Sequence, residues 1–364
     1  MRLIGMYFTV FAAGMISTLL LTPVFRKIAA KCGFMDCPAN NHKGHGKATP
    51  LLGGAAMFTG WIICLAAGVV AAMGNFTPFA AELQVFLPGL QQISGELAFI
   101  VAAGTFAVLL GLIDDKFALK ASTKFAGQFI VAIIAVMFGG VRVNAFLPEA
   151  WMTFAVSVFW IMLMMNSINF FDNMDGLAVG TIAIAMLFFG IISAISGQVF
   201  CAAFTLLTFG VCCGFWFYNA NPATIFMGDS GSHFLGFLAA VAAAKLSYFQ
   251  MSETDSFLPI FIPLMILALP LFDTAMVVAI RTWNRKPFWI GDHNHISHRF
   301  TRMGMSRKLA VFFVHLLALM IALGTLPMYW GDLSTQLVII GQTVIVLIII
   351  TTLQMTLGQG TKQQ

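Results

Sequence analysis

The chain has 364 residues, 60% of them hydrophobic and only 9% charged, with a formal net charge of +5. Soluble domains carry about 25% charged residues, so the composition excludes an ordinary water-soluble globular protein and makes lipid the main solvent. With so few charges, the positive balance reads as a topology signal and not as the footprint of a nucleic-acid binder.

A membrane-crossing helix needs about 20 apolar residues. In chain order the sequence predicts eleven such spans, at 3–25, 53–74, 96–113, 123–140, 151–167, 177–196, 199–218, 230–248, 258–280, 309–327 and 335–357. The first does not read as a signal peptide, because only Arg2 precedes it and its cationic flank follows it. No internal repeat is visible, which disfavours a repeat-built transporter. The expected fold is an all-α polytopic membrane protein, one domain over 1–364, with a basic loop at 281–308.

These spans sort the charges. Every Lys and Arg except Arg2, Arg142 and Lys245 falls in a segment that follows an odd-numbered span. Positive residues stay in the cytoplasm, which predicts an outer N-terminus and a cytoplasmic C-terminus. Glu82, Glu96, Glu149, Glu253, Asp255 and Asp332 fall on the outer side. The remaining acids are all aspartates: Asp36, Asp114, Asp115, Asp172, Asp175, Asp229, Asp273 and Asp292. A solvated surface would mix Glu with Asp. Short carboxylates set beside Lys and His indicate a cation site and an anionic substrate on the cytoplasmic face.

The first loop, "MDCPANNHKGHGKATPLLGG" at 35–54, carries Lys43, His45 and Lys47. A positive-inside anchor explains the lysines but not the histidines. Cys32, Cys37, His42 and His45 are spaced C-x4-C-x4-H-x2-H, unlike the usual zinc pattern with its long central gap. The six cysteines show no disulfide framework.

Next comes "GLIDDKFALKASTKFAGQ" at 111–128, where Asp114 and Asp115 close the third span before Lys116, Lys120 and Lys124. A helix C-terminus favours basic residues, so two acids there point to a cation and a phosphate. "NSINFFDNMDGLAVG" at 166–180 places Asn166, Asn169, Asp172 and Asp175 three residues apart between two apolar segments. That spacing makes a polar seam on one side of a span end. Interhelical hydrogen bonding accounts for the two Asn, but Asp so near a membrane generally faces a site. In "FMGDSGSHFLGF" at 226–237, Asp229 stands at a helix N-terminus, where it could cap or hold metal. An ordinary N-cap accounts equally well for Ser230 and Ser232, and His233 reads as a core histidine. Asp273, in "ALPLFDTAMVV", calls for Lys, Arg or metal. The loop "GDHNHISHRF" at 291–300 packs Asp292, His293, His295, His298 and Arg299 together, in a setting suited to phosphate, proton relay or metal.

Together these segments resemble the polyprenyl-phosphate N-acetylhexosamine-1-phosphate transferase superfamily. Asp114-Asp115 and Lys124 match its DD motif and following base. Residues 166–177 match N-x2-N-x2-D-x2-D-G-L, "FMGDSGS" matches M-G-D-x-G-S, and "PLFD" matches P-x-x-D. His295-Ile296-Ser297-His298 stands where the N-acetylglucosamine branch often has H-I-H-H, and the muropeptide branch's P-L-H-H-H-F-E is missing. The resemblance implies a bacterial cytoplasmic-membrane enzyme that moves a sugar 1-phosphate from a UDP-N-acetylhexosamine to undecaprenyl phosphate, releasing UMP. N-acetylglucosamine is the favoured sugar.

It further implies Mg²⁺ or Mn²⁺ on Asp229 with Asp172, and catalytic work by Asp114, Asp115, Asp172 and His295. Nucleotide or diphosphate would be held by Asn169, Asp175, Lys124, His298 and Arg299, and lipid phosphate by Lys43 and His45. The lipid bilayer is a partner, nucleic acid is not, and a homodimer is left open. The competing classes are a divalent-cation transporter and a silent scaffold of the same fold. The transporter would carry its acids at the membrane midplane, not at span ends.

Overall fold

The computed structural model describes residues 2–36, 48–74, 80–143, 147–246, 256–287 and 295–360. Lys43, His45, Cys37, His42, Asp292 and His293 lie outside them. The helices are α1 (Arg2–Cys32), α2 (Gly53–Gly74), α3 (Ala80–Phe117), α4 (Ala121–Met137), α5 (Ala150–Phe171), α6 (Leu177–Ile195) and α7 (Val199–Asn219). They continue with α8 (Gly228–Lys245), α9 (Ile262–Ile266) after a 3₁₀ turn, α10 (Ala268–Trp283), α11 (Ile296–Arg302), α12 (Arg307–Trp330) and α13 (Leu333–Gly360).

Each predicted span falls on one of these helices, with the ninth broken into a pair bent by 75°. Among the described residues eight helices are long and apolar enough to cross a membrane, or nine if the bent pair counts as one. Neither α4 nor α8 is among them: α4 has only 17 residues, and α8 opens with Asp229, Ser230, Ser232 and His233. The molecule is thus an all-α polytopic membrane protein.

Helix α8 is the axis of the bundle, packed on by α2, α3, α5, α6 and α7 and buried along most of its length. Its sequence explains the position. Gly and Ala line it, and small residues let neighbouring helices approach closely where no hydrophobic driving force separates helix from lipid. A Cβ on Gly54 of α2 would lie 2.1 Å from the Gly231 amide, and one on Gly236 2.7 Å from the Met164 carbonyl of α5.

Helix ends alternate. The C-terminal ends of α3, α5 and α7 meet the N-terminal ends of α8 and α12 around one cavity. Two short strands, Met35–Asp36 and Thr49–Pro50, pair antiparallel beside it, and Asp36 and Leu51 reach its lining. At the opposite end Lys245 pairs with Glu96, two residues the charge pattern had already placed on one side.

Candidate active site

The cavity has a volume of about 540 Å³ and is lined by residues from nearly every motif. Asp36, Asp114, Asp115, Asn169, Asp172, Asp175, Asp229 and His298 all face it. Three of the four residues of the polar seam, Asn169, Asp172 and Asp175, therefore form one wall of a single chamber, while Asn166 lies outside it.

Lys124 is the hub. From the first turn of α4 its Nζ donates to Asp229 Oδ2 at 2.6 Å, to Asp114 Oδ2 at 2.9 Å and to Asn169 Oδ1 at 3.2 Å. Asn169 Nδ2 donates to Asp229 Oδ1 at 2.8 Å and to Ser232 Oγ at 2.9 Å. Both oxygens of Asp229 are thus held by donors from two other helices. Asp114 Oδ1 also accepts the Leu119 amide at 2.8 Å, across a turn in which Ala118 takes a positive φ of 47°. That is an uncommon backbone state for a residue with a Cβ, and such states cluster at functional sites.

Asp115 and Asp114 point to different tasks. Asp115 accepts the Asp229 amide at 2.7 Å and the Ser230 amide at 3.2 Å, so it caps α8 from another helix. This corrects the expectation that Ser230 or Ser232 supplies the cap: Met227 is the N-cap and makes no side-chain cap bond. Gly228, at φ 67°, makes room, since a Cβ there would meet Asp115 Oδ2 at 2.5 Å.

Asp175 Oδ2 accepts from Asn221 Nδ2 at 2.9 Å and from the Ala223 amide at 3.1 Å, bracing the loop before α8. Asp172 differs from the others: among the described residues its carboxylate has no hydrogen-bond or ion-pair partner. Burial pushes its pKa up to about 8, and the charges of Asp229, Asp175 and Asp115 push the same way. An unfolded Asp titrates near 4. Between about 4 and 8 the metal-free folded chain keeps a proton that the unfolded chain releases. The stabilisation is full below that window and is lost as pH rises through about 8. Melting curves in EDTA are expected to show a higher transition temperature at pH 6 than at pH 8, with a weaker pH dependence in Asp172→Asn. Identical profiles for the two proteins would refute this.

The carboxylates outnumber the cations here, which raises the question of a metal. Among the described residues no three His, Cys, Asp or Glu side chains converge as a closed cage. Mg²⁺ usually takes only one or two carboxylates and completes its shell with water and substrate phosphate. An unpartnered Asp172 beside Asp229 fits an ion bound in that way.

The histidine motif docks on the same end. His295 Nδ1 lies 2.7 Å from Asp273 Oδ2, and the Ile296 amide donates to Asp273 Oδ1 at 2.6 Å. The buried Asp273 thus takes a histidine and a helix N-terminus as partners in place of the expected Lys, Arg or metal. His295 is only 4% exposed and does not line the cavity, whereas His298 does. Arg299 is absent from the lining, and Arg307, at the start of α12, is present although the motif reading did not single it out. Its signal was available, since it stands in the most basic loop next to a span. Ser297 donates to Asn173 Oδ1, which ties the motif to the α5–α6 loop.

An acid-lined chamber braced by a half-buried lysine, at one end of a membrane-type helical bundle, is the candidate active site of a polytopic membrane protein. The chain belongs to glycosyl transferase family 4, whose family model matches residues 97–247. It is 32% identical over 338 residues to the "probable undecaprenyl-phosphate N-acetylglucosaminyl 1-phosphate transferase" of Bacillus subtilis, covering 91% of this chain and 87% of that protein. It is 29% identical to the decaprenyl-phosphate N-acetylglucosaminephosphotransferase of Mycolicibacterium smegmatis, with 92% and 85% covered. The undecaprenyl-phosphate alpha-N-acetylglucosaminyl 1-phosphate transferase of Escherichia coli K12 is 25% identical, with 86% and 83% covered.

Proposed function

We propose that this chain transfers N-acetylglucosamine 1-phosphate from UDP-N-acetylglucosamine to undecaprenyl phosphate. An oxygen of the lipid phosphate attacks the sugar-bearing phosphorus. The bond from that phosphorus to the bridging oxygen breaks, and UMP leaves with the electron pair. The observation that carries this reading is that Asp114, Asn169 and Asp229, from three helices, line one chamber and are tied together from behind by Lys124 of a fourth. The names of the relatives support the polyprenyl phosphate and the N-acetylglucosamine 1-phosphate group, and the motif resemblance supports UDP as its carrier.

Asp229 and Asp172 would hold Mg²⁺ or Mn²⁺, which when bound neutralises charge on the diphosphate and the departing UMP. Asp114 handles the lipid phosphate as base, with Lys124 beside it to hold the phosphate oxygens. Asp115 fixes the start of α8 and thereby the direction of Asp229. Asn169 and Asp175 shape the nucleotide side of the chamber, and His298 and Arg307 face the diphosphate from across it. His295 orients the motif through Asp273, Arg299 adds positive charge behind it, and Lys43 and His45 attract the lipid phosphate from the first loop. The positive-inside pattern supports a cytoplasmic chamber in the bacterial inner membrane, with the N-terminus outside.

The test uses purified protein in detergent with undecaprenyl phosphate, Mg²⁺ and a panel of UDP-sugars. UMP and a lipid-diphospho-N-acetylglucosamine are expected to form and to vanish with EDTA. Product from UDP-N-acetylgalactosamine alone would change the sugar. No product from any donor would remove the reading in favour of a cation transporter.

A further inference from the structure

One helical turn deeper than the hub, the same three helices carry a second polar layer that the reaction does not touch. Lys124 is followed four residues later by Gln128 on α4. Asn169 is preceded three residues earlier by Asn166 on α5. Asp229 is followed four residues later by His233 on α8. The spacings of three and four put each pair on one helix face. Asn166 Nδ2 donates to Gln128 Oε1 at 2.6 Å and to the Met162 carbonyl at 2.7 Å. Gln128 Nε2 lies 2.9 Å from His233 Nε2 and 3.3 Å from Asn166 Oδ1. Gln128 and His233 are fully buried, and none of the three lines the catalytic cavity.

The hydrogen-bond order fixes the ring. With Gln128 Oε1 taken by Asn166, its Nε2 is the group that faces His233, and it can only donate. His233 Nε2 must therefore accept, leaving the ring proton on Nδ1, a buried atom that faces the Asp229 backbone one turn back without a well-formed hydrogen bond. A leucine would fill the same space without burying that poorly satisfied donor. What the histidine supplies is the acceptor.

We infer that His233 is a positioning residue for the transfer. Through Gln128 and Asn166 it sets the axial register of α8 against α4 and α5, so that Asp229 meets Lys124 and Asn169 one turn above. Rows of side chains along packed helices lock in discrete registers, and a slip in the lower layer displaces the upper one. The inference rests on the proposed transferase activity for its kinetic test and on nothing but packing for its second test.

The experiment compares His233→Leu with His233→Gln, whose side-chain oxygen can accept from Gln128 where the Nε2 did. In the Leu variant kcat is expected to fall about tenfold, as for a sub-ångström misplacement of a reacting group. KM for UDP-N-acetylglucosamine stays within about threefold, and the Gln variant recovers to within about threefold of the parent. Equal activity of the Leu variant and the parent would overturn the inference, as would equal loss in Leu and Gln. The second arm needs no activity: a double-mutant cycle of His233→Leu with Asn169→Ala, read as melting temperature in detergent. Coupled layers give a smaller Asn169→Ala shift in the Leu background. Additive shifts would overturn the inference even if every UDP-sugar proved inert, an outcome that by itself would count only against the proposed reaction.

Discussion

Asp229→Asn is expected to leave the protein folded and to reduce UMP release by about three orders of magnitude or more, the scale on which removing preorganised charge stabilisation acts. The change is close to isosteric, so its cost is electronic. Lys124 donates to one oxygen of Asp229 and Asn169 to the other. An asparagine must turn its own NH₂ toward one of these donors, which breaks a bond and sets donor against donor. The charge that balances Lys124 and would hold a divalent ion is lost with it. UMP release assays, with detergent size-exclusion profiles as the folding control, check this. Retention of more than about a tenth of the activity would remove Asp229 from the central role.

Gly111→Ala is expected to do the next largest damage, from outside the cavity. A Cβ on Gly111 would lie 2.3 Å from the Ser230 amide and 2.5 Å from the Asp229 carbonyl carbon, both backbone atoms that cannot rotate away. Overpacking of this kind costs about 1–3 kcal/mol and is relieved only by moving α3 from α8. That shift pulls Asp115 off the two amides it caps and carries Asp229 away from Lys124. The activity loss is expected to reach about a hundredfold, with a lowered melting temperature. Gly95→Ala, on the same helix with nothing within 4 Å, is the control and is expected to be neutral. Equal behaviour of the two variants would mean that the close approach of α3 to α8 is unimportant.

Much of the chamber was legible in the sequence because acids in an apolar chain stand out against their background. Asp114, Asp172, Asp175 and Asp229 were identifiable by residue type and by their position at span ends, and all of them line the cavity. The pairings were not legible. Asp115 caps amides more than a hundred residues away, a relation set by how α3 packs on α8. Asp273 was read as wanting a cation, yet it holds His295 and an amide, because the docking of α11 decides its partner. Ser297, which departs from the family's usual histidine, proves to be the tie to Asn173. Asn166 shows the same limit: its interhelical bond was foreseeable, but its link through Gln128 to His233 was not.

By itself, then, the sequence determined that the chain is a bundle of membrane helices, which segments are apolar, and which aspartates gather at one set of span ends. Hydropathy and charge are local properties, and a bilayer enforces them residue by residue. Only the tertiary structure decided which aspartate lines the chamber without a partner among the described residues, which caps a helix and which braces a loop. Those roles depend on approaches of a few ångströms between helices distant in sequence, and such approaches follow from glycine-lined packing that no single segment encodes.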